Sequence, residues 1–392
     1  MISVQEVFNI LERNAGAMAP QELPLLACLG LVAAEEVTAP VDVPVFDNSA
    51  MDGYAIRYED VEAAIPIHVA YTIVAGAPGL PVLRRGEAAR IFTGAPVPEG
   101  ADTVVQQEIC GLKDGSLTFL QPIAAGTHIR KQGTQTRKGA VVLKPGTMLT
   151  AGYIGFLATL GIAALRVHPV PKVGIIVTGK ELVPAGQPLR PGQIYESNAV
   201  ALQAALLQMG VAAVFAAHAD DDEAELQQCI AEKISGLDVL LITGGISVGD
   251  YDFVKPVLEK LGAAEQFHKV KQKPGKPLYF GRLREKHVFA LPGNPASVLT
   301  CFHVYVQPFL KALMGQPAFA NKQYGILLNG YDKKAGLTHF VKARTEGHKV
   351  AILTGQPSFQ MDAYTDANAY AVLRAEQEAF QAGEKVEIVV IA

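Results

Sequence analysis

Residues 237–252, LDVLLITGGISVGDYD, give the clearest indication of the fold. The first six are a mostly apolar run of about the length of one strand, without the regular polar alternation of a strand that faces water on one side. Such runs are typical of a parallel sheet covered on both faces. Glycines and polar residues follow directly, and in open α/β sheets ligands bind beyond the carboxyl ends of the strands. The stretch therefore predicts a buried strand that ends in a binding loop.

The segments on both sides alternate between strands and helices. Apolar stretches such as KVGIIVTG and VAAVFAAH are followed by helical stretches such as SNAVALQAALLQMG and DDEAELQQCIAEKI. This alternation is typical of βαβ units around a mostly parallel sheet. We therefore expect residues 169–316 to form a three-layer α/β/α domain, with helices covering both faces of the sheet.

Two other regions are predicted to be rich in strands. Residues 41–139 consist of short apolar stretches broken by glycine and proline, which indicates a small inserted β domain. Residues 317–392 contain THFVKARTEG, KVAILTG and KVEIVVIA, which alternate like the strands of a small C-terminal β-barrel or sheet. The fold class is thus a multi-domain α/β plus β protein.

A fourth domain is expected to be discontinuous. Residues 3–37 show helical periodicity and begin with the spacing of a capping box. Thr150 can cap a second helix, AGYIGFLATLG. We expect residues 1–40 and 140–168 to form one helical and linker domain, with the small β domain inserted between them.

Composition argues against several classes of protein. The chain has 392 residues, 49% of them hydrophobic, and a formal net charge of −4. Nonspecific binding of nucleic acid is not expected, because it requires dense positive charge. The four cysteines are far apart, so neither a zinc knuckle nor a disulfide framework is indicated. The sequence holds no run of about eighteen apolar residues and does not begin like a signal peptide, so we expect a cytoplasmic protein outside the membrane.

Polar residues follow each predicted strand of the α/β domain. Glu181 follows VGIIV, Asp221 follows VAAVFAAH, the glycine-rich stretch follows VLLI, and LPGNP at 291–295 follows VFA. The carboxyl ends of parallel strands meet at one edge of a sheet. These four loops are therefore expected to line one crevice.

The glycine-rich loop could bind an anion or could simply turn the chain. Gly244, Gly245 and Gly249 would let backbone N–H groups approach a phosphate, and Ser247 could add a hydroxyl donor. A tight strand-to-helix turn capped by Asp252 explains the same residues equally well.

Carboxylates from three different loops are candidate magnesium ligands, namely Glu181, Asp221 and Asp252. Mg²⁺ prefers oxygen ligands and usually keeps water, so that one or two carboxylates and a substrate phosphate are sufficient. The alternative for Asp221, together with Asp222, is that they cap the amphipathic helix that follows.

The segment HKVKQKPGKP at 268–277 is unusually rich in lysine for an acidic protein, with Lys269, Lys271, Lys273 and Lys276. On a strand, the odd-numbered lysines would lie on one face and form a solvated edge. Proline and glycine in the second half favour a rigid turn instead, which suits a preset site for phosphate or another oxyanion.

The small β domain contains one stretch, FDNSAMDGYAIR at 46–57, with more polar groups than a turn requires. Asp52 and Gly53 form a favourable turn dipeptide. The other polar side chains of the stretch are not explained by a turn.

Five motifs occur in one order along nearly the whole chain: FDNSAMDGYA, IFTGAPVPEGAD, TGGISVGDYD, KPGKP and LPGNPAS. Together they resemble the molybdopterin molybdenumtransferase family, that is, the MoeA-type proteins and the E domain of gephyrin. The resemblance implies an elongated four-domain homodimer in which the α/β domain of one subunit faces the small β domain of the other. It also implies an enzyme that inserts molybdenum from molybdate into the dithiolene of adenylated molybdopterin and releases AMP with Mg²⁺, without a protein nucleophile. A molybdopterin adenylyltransferase and molybdoenzyme acceptors would be its further partners.

The resemblance also assigns roles to individual residues. Asp52 and Thr93 match acidic and hydroxyl positions of the inserted domain, and Glu181, Asp221 and Asp252 match carboxylates that would serve the metal and pyrophosphate cleavage. The other matching positions would bind substrate, with Lys269, Lys273, Arg344 and Ser358 assigned to molybdate. The full set of substrate-binding positions is Gly244, Gly245, Ser247, Gly249, Lys269, Lys273, Lys276, Pro292, Pro295, Arg344 and Ser358.

The chain departs from the family pattern in three places. Lys180 and Gln135 stand where the family usually has acidic residues, and GQPSFQMDAYTDANAY replaces a stretch usually rich in glycine and serine. These departures leave open an altered metal or oxyanion preference, with tungstate as the obvious candidate. A non-catalytic molybdopterin-binding scaffold and an adenylyltransferase acting on molybdopterin are the alternative functions. The inserted β domain and the basic C-terminal position favour molybdenum insertion over adenylyl transfer.

Overall fold

The structure is a computed structural model that describes residues 1–77, 79, 81–246, 252–319 and 322–391. The chain divides into two compact units. The large unit comprises Met1–Glu22, Gly30–Ala34 and Arg166–Ala392, and the small unit comprises Leu23–Leu29 and Glu35–Leu165. The four domain boundaries expected from the sequence are finer than this division and stay a prediction.

Helices are concentrated in the large unit. The α-helices are α1 Val4–Asn14, α2 Tyr58–Glu62, α3 Ala151–Thr159, α4 Asn198–Gln208, α5 Glu223–Lys233, α6 Val254–Lys260, α7 Pro295–Cys301 and α8 Gln307–Leu313. A π-helical turn, Phe302–Val306, joins α7 to α8, and short 3₁₀ helices occupy Leu25–Cys28, Gln107–Ile109, Ile234–Gly236 and Asp362–Thr365. None of the helices within the described residues is long and apolar enough to span a bilayer.

Strands occupy both units. Those up to residue 168 are β1 Gln21–Pro24, β2 Val32–Ala33, β3 Val37–Thr38, β4 Asn48–Ser49, β5 Gly53–Ile56, β6 His68–Ile73, β7 Glu87–Ile91, β8 Thr103–Gln106, β9 Cys110–Lys113, β10 Ser116–Phe119, β11 Ile129–Arg130, β12 Val141–Leu143 and β13 Ala164–His168. The next nine are β14 Val173–Thr178, β15 Leu182–Val183, β16 Ile194–Tyr195, β17 Ala213–Ala219, β18 Val239–Thr243, β19 Ala264–His268, β20 Gln272–Lys273, β21 Tyr279–Leu283 and β22 Lys286–Leu291. The last are β23 Gln323–Leu327, β24 Tyr331–Asp332, β25 Thr338–Glu346, β26 Lys349–Ile352, β27 Ala369–Leu373, β28 Ala379–Phe380 and β29 Lys385–Val390.

The large unit is built on a six-stranded mixed sheet with the order β17-β14-β18-β22-β21-β19. The first four strands are parallel, and β21 and β19 complete the sheet in antiparallel register. Alternate residues of β14 enter opposite cores, Ile175 and Val177 with α4, α7 and α8 on one face and Ile176 with α5 and α6 on the other. The predicted three-layer α/β/α arrangement with a mostly parallel sheet is thus confirmed.

The C-terminal residues form a closed barrel, as the alternating pattern predicted. The strand order β25-β26-β23-β29-β27 closes on itself because β25 also pairs with β27. Its interior is apolar and includes Val341, Ala371 and Phe380. The two-residue strand β20 pairs in parallel with β25, Lys273 lying opposite His339. This pairing attaches the lysine-rich segment of the α/β part to the barrel.

Strands dominate the small unit between β4 and β12, as the glycine- and proline-broken pattern predicted. Its six-stranded sheet has the order β8-β5-β7-β6-β10-β9. The two sides of this sheet enter separate apolar clusters, one containing Ile73 and Ile91 and the other containing Ile56 and Val105. The small unit thus has cores of its own.

Helix caps follow the sequence closely, but the first predicted helical region is too long. Ser3 and Glu6 form a complete capping box at the start of α1, and the Thr150 hydroxyl accepts a bond from the N–H of Tyr153 at the start of α3. The helical periodicity predicted for residues 3–37 is wrong beyond Asn14, because strands and a 3₁₀ turn follow. Two prolines, Pro20 and Pro24, lie in that stretch and cannot donate helical hydrogen bonds.

The two predicted flanking helices belong to different units. α1 lies in the large unit and contributes Val7 and Leu11 to the core beside the parallel sheet, whereas α3 lies in the small unit. The discontinuous helical domain is therefore not one of the two compact units.

Candidate functional site

A cleft of about 930 Å³ lies in the large unit beyond the carboxyl ends of the parallel strands. It receives residues from the loops after β14, β17, β18 and β22, together with the segments around β20 and residue 358. The loops that the sequence placed at one crevice therefore do share one. The predicted site residues that line it are Glu181, Asp221, Gly244, Gly245, Asp252, Lys273, Lys276, Pro292, Pro295 and Ser358.

The glycine-rich loop is held close to the end of the neighbouring strand. Gly244 and Gly245 have φ values of +93° and +58°, which residues other than glycine rarely adopt. A Cβ at Gly244 would lie 2.5 Å from Thr178 Oγ1 and 2.7 Å from the Thr178 carbonyl oxygen. Both the backbone conformation and the lack of space therefore require glycine here. The predicted contributions of Ser247 and Gly249 fall outside the described residues.

A buried asparagine joins three of the cleft loops. The Asn198 side-chain nitrogen donates to Thr243 Oγ1 at 3.1 Å and to the Gly293 carbonyl at 2.8 Å, while the Thr243 hydroxyl donates to the Pro292 carbonyl at 3.0 Å. A carbonyl can only accept, so the amide nitrogen must face Gly293. Asn198 is only 8% exposed, and its Oδ1 is buried without a hydrogen-bond partner among the described residues.

Asn198 was not predicted as a site residue, because in the sequence it is an ordinary residue at the start of a helical stretch. It is in fact the first residue of α4, and the Glu196 carboxylate accepts a bond from the next backbone N–H, that of Ala199, at 2.7 Å. Its partners lie 45 and 95 residues away. No local pattern encodes contacts at that separation.

Three candidate carboxylates reach the cleft from three different loops. Glu181 is folded over Gly179, where a Cβ would lie 2.9 Å from both carboxylate oxygens. Asp221 makes a long contact of 3.5 Å with the backbone N–H of Lys180. Asp252 precedes Phe253, which occupies the N-cap position of α6, so that Asp252 itself is not the N-cap residue.

The two aspartates before α5 have different roles. Asp222 is the N-cap residue, and its carboxylate accepts a bond from the Glu225 N–H at 2.9 Å. Asp221 lines the cleft instead. Capping therefore accounts for Asp222 and leaves Asp221 available for the cleft.

The carboxylates fit only one kind of magnesium site. In the part of the chain that the structure describes, no three His, Cys, Asp or Glu side chains converge in a group that could hold a metal. Glu181, Asp221 and Asp252 thus share a cleft but do not form a closed protein cage. Their chemistry fits an ion held by one or two carboxylates and otherwise by substrate oxygens and water.

The two halves of the lysine-rich segment lie in different places. Lys273 and Lys276 line the cleft, on a turn that includes Pro274 and Gly275. The lining, as far as it is described, does not include Lys269. Lys269 instead has a φ of +67°. Its carbonyl accepts a hydrogen bond from the Ile2 N–H, and its own N–H donates to the Leu278 carbonyl. The turn predicted for the second half is therefore present, whereas the placement of Lys269 at the cleft is not supported.

Ser358 reaches the cleft on a segment that is fastened to the barrel. Its backbone carbonyl accepts a bond from the Ala296 N–H at 3.1 Å, and its hydroxyl accepts one from the Asn294 side chain at 3.0 Å. Gln356 pairs with the backbone N–H and C=O of Lys342, both at 2.9 Å. The segment is thus tied both to the LPGNP loop and to β25.

The buried side chain of Lys342 also binds the segment that carries Ser358. It is 3% exposed, and its Nζ donates to the Gln360 carbonyl at 2.9 Å and lies 5.3 Å from the centre of the Tyr364 ring. Burial lowers the pKa of Lys342. No motif marks Lys342 in the sequence, whereas Arg344 matches a family position.

Arg344 occupies a different environment from the one predicted. It is exposed and lies 3.4 Å from a Glu346 carboxylate oxygen and 3.9 Å from one of Asp366. It is not among the described residues that line the cleft. These neighbours are themselves exposed, and the role of Arg344 in binding molybdate stays a prediction.

Asp52 and Thr93 form a pair in the small unit. Thr93 donates to one carboxylate oxygen of Asp52 from its backbone N–H at 2.8 Å and from its hydroxyl at 2.7 Å. These bonds from Thr93 lower the pKa of Asp52. Nearby, Asp47 accepts bonds from Lys131 Nζ and from the Gln132 N–H, both at 2.8 Å. The polar residues of the FDNSAMDG stretch thus make specific contacts that a turn would not need.

Comparison with known proteins agrees with this architecture. A family model described as "MoeA N-terminal region (domain I and II)" matches residues 2–161, and one described as "Probable molybdopterin binding domain" matches residues 174–312. A molybdopterin molybdenumtransferase of Haemophilus influenzae is 37% identical over 97% of this chain and 96% of its own length. Molybdopterin molybdenumtransferase 2 of Mycobacterium tuberculosis is 40% identical over 81% of each chain.

A solved structure has the same fold over the whole length. The molybdopterin biosynthesis MoeA protein of Pyrococcus horikosii superposes with a TM-score of 0.85 at 32% identity, covering 100% of this chain and 99% of that one. Identity above 30% over nearly the full length of both chains, combined with the same fold and the same order of motifs, leaves one assignment. The chain belongs to the MoeA family of molybdopterin molybdenumtransferases.

Proposed function

We propose that this protein inserts molybdenum from molybdate into the dithiolene of adenylated molybdopterin, with Mg²⁺-dependent release of AMP. One observation carries the proposal: carboxylates, a glycine loop and two lysines line a single cleft at the carboxyl ends of the parallel strands. A pyrophosphate link requires amide and cationic donors, and molybdate is a dianion that requires cationic donors. The cleft contains both kinds of donor next to carboxylates.

The glycine loop is the proposed binding element for phosphate oxygens. At Gly244 and Gly245 no side chain shields the backbone, so a ligand oxygen can approach closely. Asn198 and Thr243 hold this loop against the LPGNP loop through buried hydrogen bonds. The binding surface would therefore be preformed before substrate arrives.

The lysine turn is the proposed binding element for molybdate. Lys273 and Lys276 are exposed to solvent and line the cleft. Lysine supplies compact charge that can bind an oxyanion and also release it. Ser358 would add a hydroxyl on the opposite segment, close to Asn294.

Magnesium would be held by one or two of Glu181, Asp221 and Asp252, together with substrate oxygens and water. When bound, it would neutralise charge on the pyrophosphate and favour the departure of AMP. The carboxylates themselves would orient the substrate and any attacking water. Lys180 lies beside this region, and its charge is expected to modify the affinity for the metal.

We propose no covalent protein intermediate. Cys301 is the cysteine nearest the lysine turn, with its Sγ 3.8 Å from the Gly275 carbonyl. It is fully buried, and burial raises its pKa far above the usual range of thiols. A thiol of this kind is a poor nucleophile. The chain would therefore act by positioning the substrates and neutralising their charge.

We further propose a cytoplasmic homodimer in which the small unit of one subunit completes the cleft of its partner. The resemblance to the family and the specific Asp52–Thr93 pair in the small unit support this arrangement. Analytical ultracentrifugation checks the stoichiometry. Mixing inactive Asp52→Ala and Asp252→Ala subunits checks the shared site, because one intact cleft per mixed dimer should recover up to about half of the activity for each such dimer. No recovery in dimers proven to be mixed would refute the shared site.

One assay separates the proposed function from its two rivals. The purified protein is incubated with adenylated molybdopterin, Mg²⁺ and molybdate, and AMP is quantified by chromatography. AMP release that depends on molybdate supports insertion, whereas bound pterin without AMP supports a scaffold. Formation of adenylated molybdopterin from ATP and molybdopterin supports the adenylyltransferase. Replacing molybdate with tungstate in the same assay measures the oxyanion preference.

A further inference from the structure

We infer that Gln272 is a positioning residue that holds the turn carrying Lys273 and Lys276 in the geometry needed for an oxyanion. The inference rests on the proposed function for the role of the two lysines. It concerns a residue that none of the sequence motifs marks: Gln272 lies at the lining of the cleft, and only 1% of it is exposed.

The side-chain nitrogen of Gln272 contacts two carbonyls of the turn and, at 3.7 Å, Cys301 Sγ. Its Nε2 donates to the Pro274 carbonyl and to the Gly275 carbonyl, each at 3.1 Å, and the side chain is only 1% exposed. On the other side, its Oε1 accepts a bond from the Tyr305 hydroxyl. Both carbonyls can only accept, so the orientation of the amide is determined by its partners.

The turn packs closely against this amide at Gly275. Gly275 has a φ of +84°, and a Cβ there would lie 2.5 Å from Cys301 Sγ and 2.9 Å from Gln272 Nε2. Tyr305, which receives the other end of the amide, is itself buried in the π-helical turn between α7 and α8, with its ring 5.4 Å from that of Phe8. The turn is therefore packed against the buried side chains of Gln272 and Cys301, and Gln272 is held by Tyr305.

The backbone holds the turn at its two ends. The Lys276 carbonyl accepts a bond from the Val270 N–H at 2.9 Å, and Lys273 pairs with His339 of β25. Between these ends, the Gln272 side chain donates hydrogen bonds to the carbonyls of Pro274 and Gly275. Cys301 Sγ adds a weak contact to Gly275 at 3.8 Å. The amide thus determines how the middle of the turn presents the two lysines.

Such an arrangement matters for an anion site because two ammonium groups repel each other. Holding them at a set spacing before the ligand arrives removes part of the ordering cost of binding. If the amide only stabilised the fold, replacing it would lower stability, because the carbonyls of Pro274 and Gly275 would lose their donor, but the affinity for the oxyanion would not change. An amide that positions the lysines would instead change the affinity for the oxyanion.

The test uses the full-length protein and the AMP-release assay with molybdate varied. Gln272→Glu keeps the shape and the acceptor for Tyr305 but removes both donors to the turn. We expect KM for molybdate to rise about tenfold with kcat within about threefold of the parent. Tyr305→Phe is the matched control, because it removes a bond on the far side of the amide and leaves both donors; its KM should change less than about threefold.

A double-mutant cycle separates positioning from general destabilisation. If Gln272 acts through the two lysines, adding Gln272→Glu to a variant that carries both Lys273→Ala and Lys276→Ala should raise KM by less than about twofold over that variant. Full additivity of the two effects, or an unchanged KM in a folded Gln272→Glu variant, would overturn the inference. Gln272→Met, which introduces no buried charge, replaces Gln272→Glu in the cycle if the latter does not fold.

Hydrogen exchange tests the turn independently of turnover. In Gln272→Met, amide exchange of residues 270–278 should become at least about tenfold faster, while that of the parallel strands stays unchanged. Unchanged exchange at the turn would also overturn the inference. If the parent protein released no AMP with molybdate, the proposed function would fail, and hydrogen exchange would still decide whether Gln272 holds the turn.

Discussion

The side-chain nitrogen of Asn198 lies 3.1 Å from the Thr243 hydroxyl oxygen, and this contact joins the start of α4 to the end of β18. The same nitrogen donates to Gly293 on the LPGNP loop. A single buried amide thereby connects three segments that are far apart in sequence. The cleft depends on this connection, because the segments it joins carry the glycine loop and the LPGNP loop.

Replacing Asn198 with alanine should destabilise the large unit. Thr243 and Gly293 would each lose a buried donor, at a cost of about 1–3 kcal/mol for an unsatisfied buried group. Asn329→Ala is the control, because Asn329 also donates to a carbonyl, that of Ile352 at 3.0 Å, but is exposed so that water can replace it. Urea unfolding measures both variants. Equal losses of stability would contradict the importance of burial at Asn198.

The glycine loop should not tolerate a methyl group at position 244. In Gly244→Ala, the positive φ and the clash with the Thr178 backbone should together cost about 2 kcal/mol or more and abolish AMP release. Gly262→Ala is the matched control, since Gly262 has a φ of +84° but nothing within 4 Å of the added Cβ. It should lose about 1 kcal/mol and keep its activity. Thermal unfolding and the AMP assay give both readings, and a Gly244→Ala variant no less stable than Gly262→Ala would count against the close approach.

The Asp52–Thr93 pair should resist protonation. Because the pKa of Asp52 is lowered from 3.8, the stability that the pair contributes is fully present above that value. It is lost as pH falls below 3.8 through the lowered pKa of the folded state. Thr93→Val removes the hydroxyl bond and keeps the backbone bond, so the pKa of Asp52 should rise toward the ordinary value. Carboxyl chemical shifts followed by NMR against pH measure it, and identical titration curves in both proteins would argue against the effect of the hydroxyl.

Two charge deletions should remove activity without unfolding the protein. Asp252 and Lys273 line the cleft and do not belong to the apolar cores. Asp252→Ala and Lys273→Ala should therefore unfold within about 0.5 kcal/mol of the parent protein while AMP release falls at least about a hundredfold. Lys349→Ala, at an exposed position of the barrel strand β26, should leave both properties unchanged. Normal turnover in both cleft variants would refute the proposed site.

Magnesium should be required, and the requirement should depend on Glu181. Chelation by EDTA should stop AMP release, and added Mg²⁺ should restore it. In Glu181→Gln the Mg²⁺ concentration for half-maximal rate should rise about tenfold, because one negatively charged oxygen ligand is lost. In Lys349→Ala it should stay the same. Full activity in the presence of EDTA would contradict the proposed role of the metal.

The sequence alone determined the kind of elements and the family. Continuous apolar strands alternating with amphipathic helices require a parallel sheet covered on both sides, and local hydrogen bonding sets the caps at Ser3, Thr150 and Asp222. The loops at the carboxyl ends of the strands follow from the same topology, so Glu181, Asp221 and Gly244 could be assigned to one cleft in advance. The first region failed as a helix because its periodicity did not account for Pro20 and Pro24.

The set of side chains that line the cleft follows from the tertiary structure and not from the motifs. Lys273 and Arg344 are both cationic and both match family motifs, yet Lys273 lines the cleft whereas Arg344 lies beside Glu346 and Asp366. Asn198 and Gln272 act through buried bonds to loops brought together by the packing of sheet and helices. The physical reason is that spacing along a chain determines the local conformation, whereas the direction of a side chain and its distant partners depend on how complete elements pack against one another.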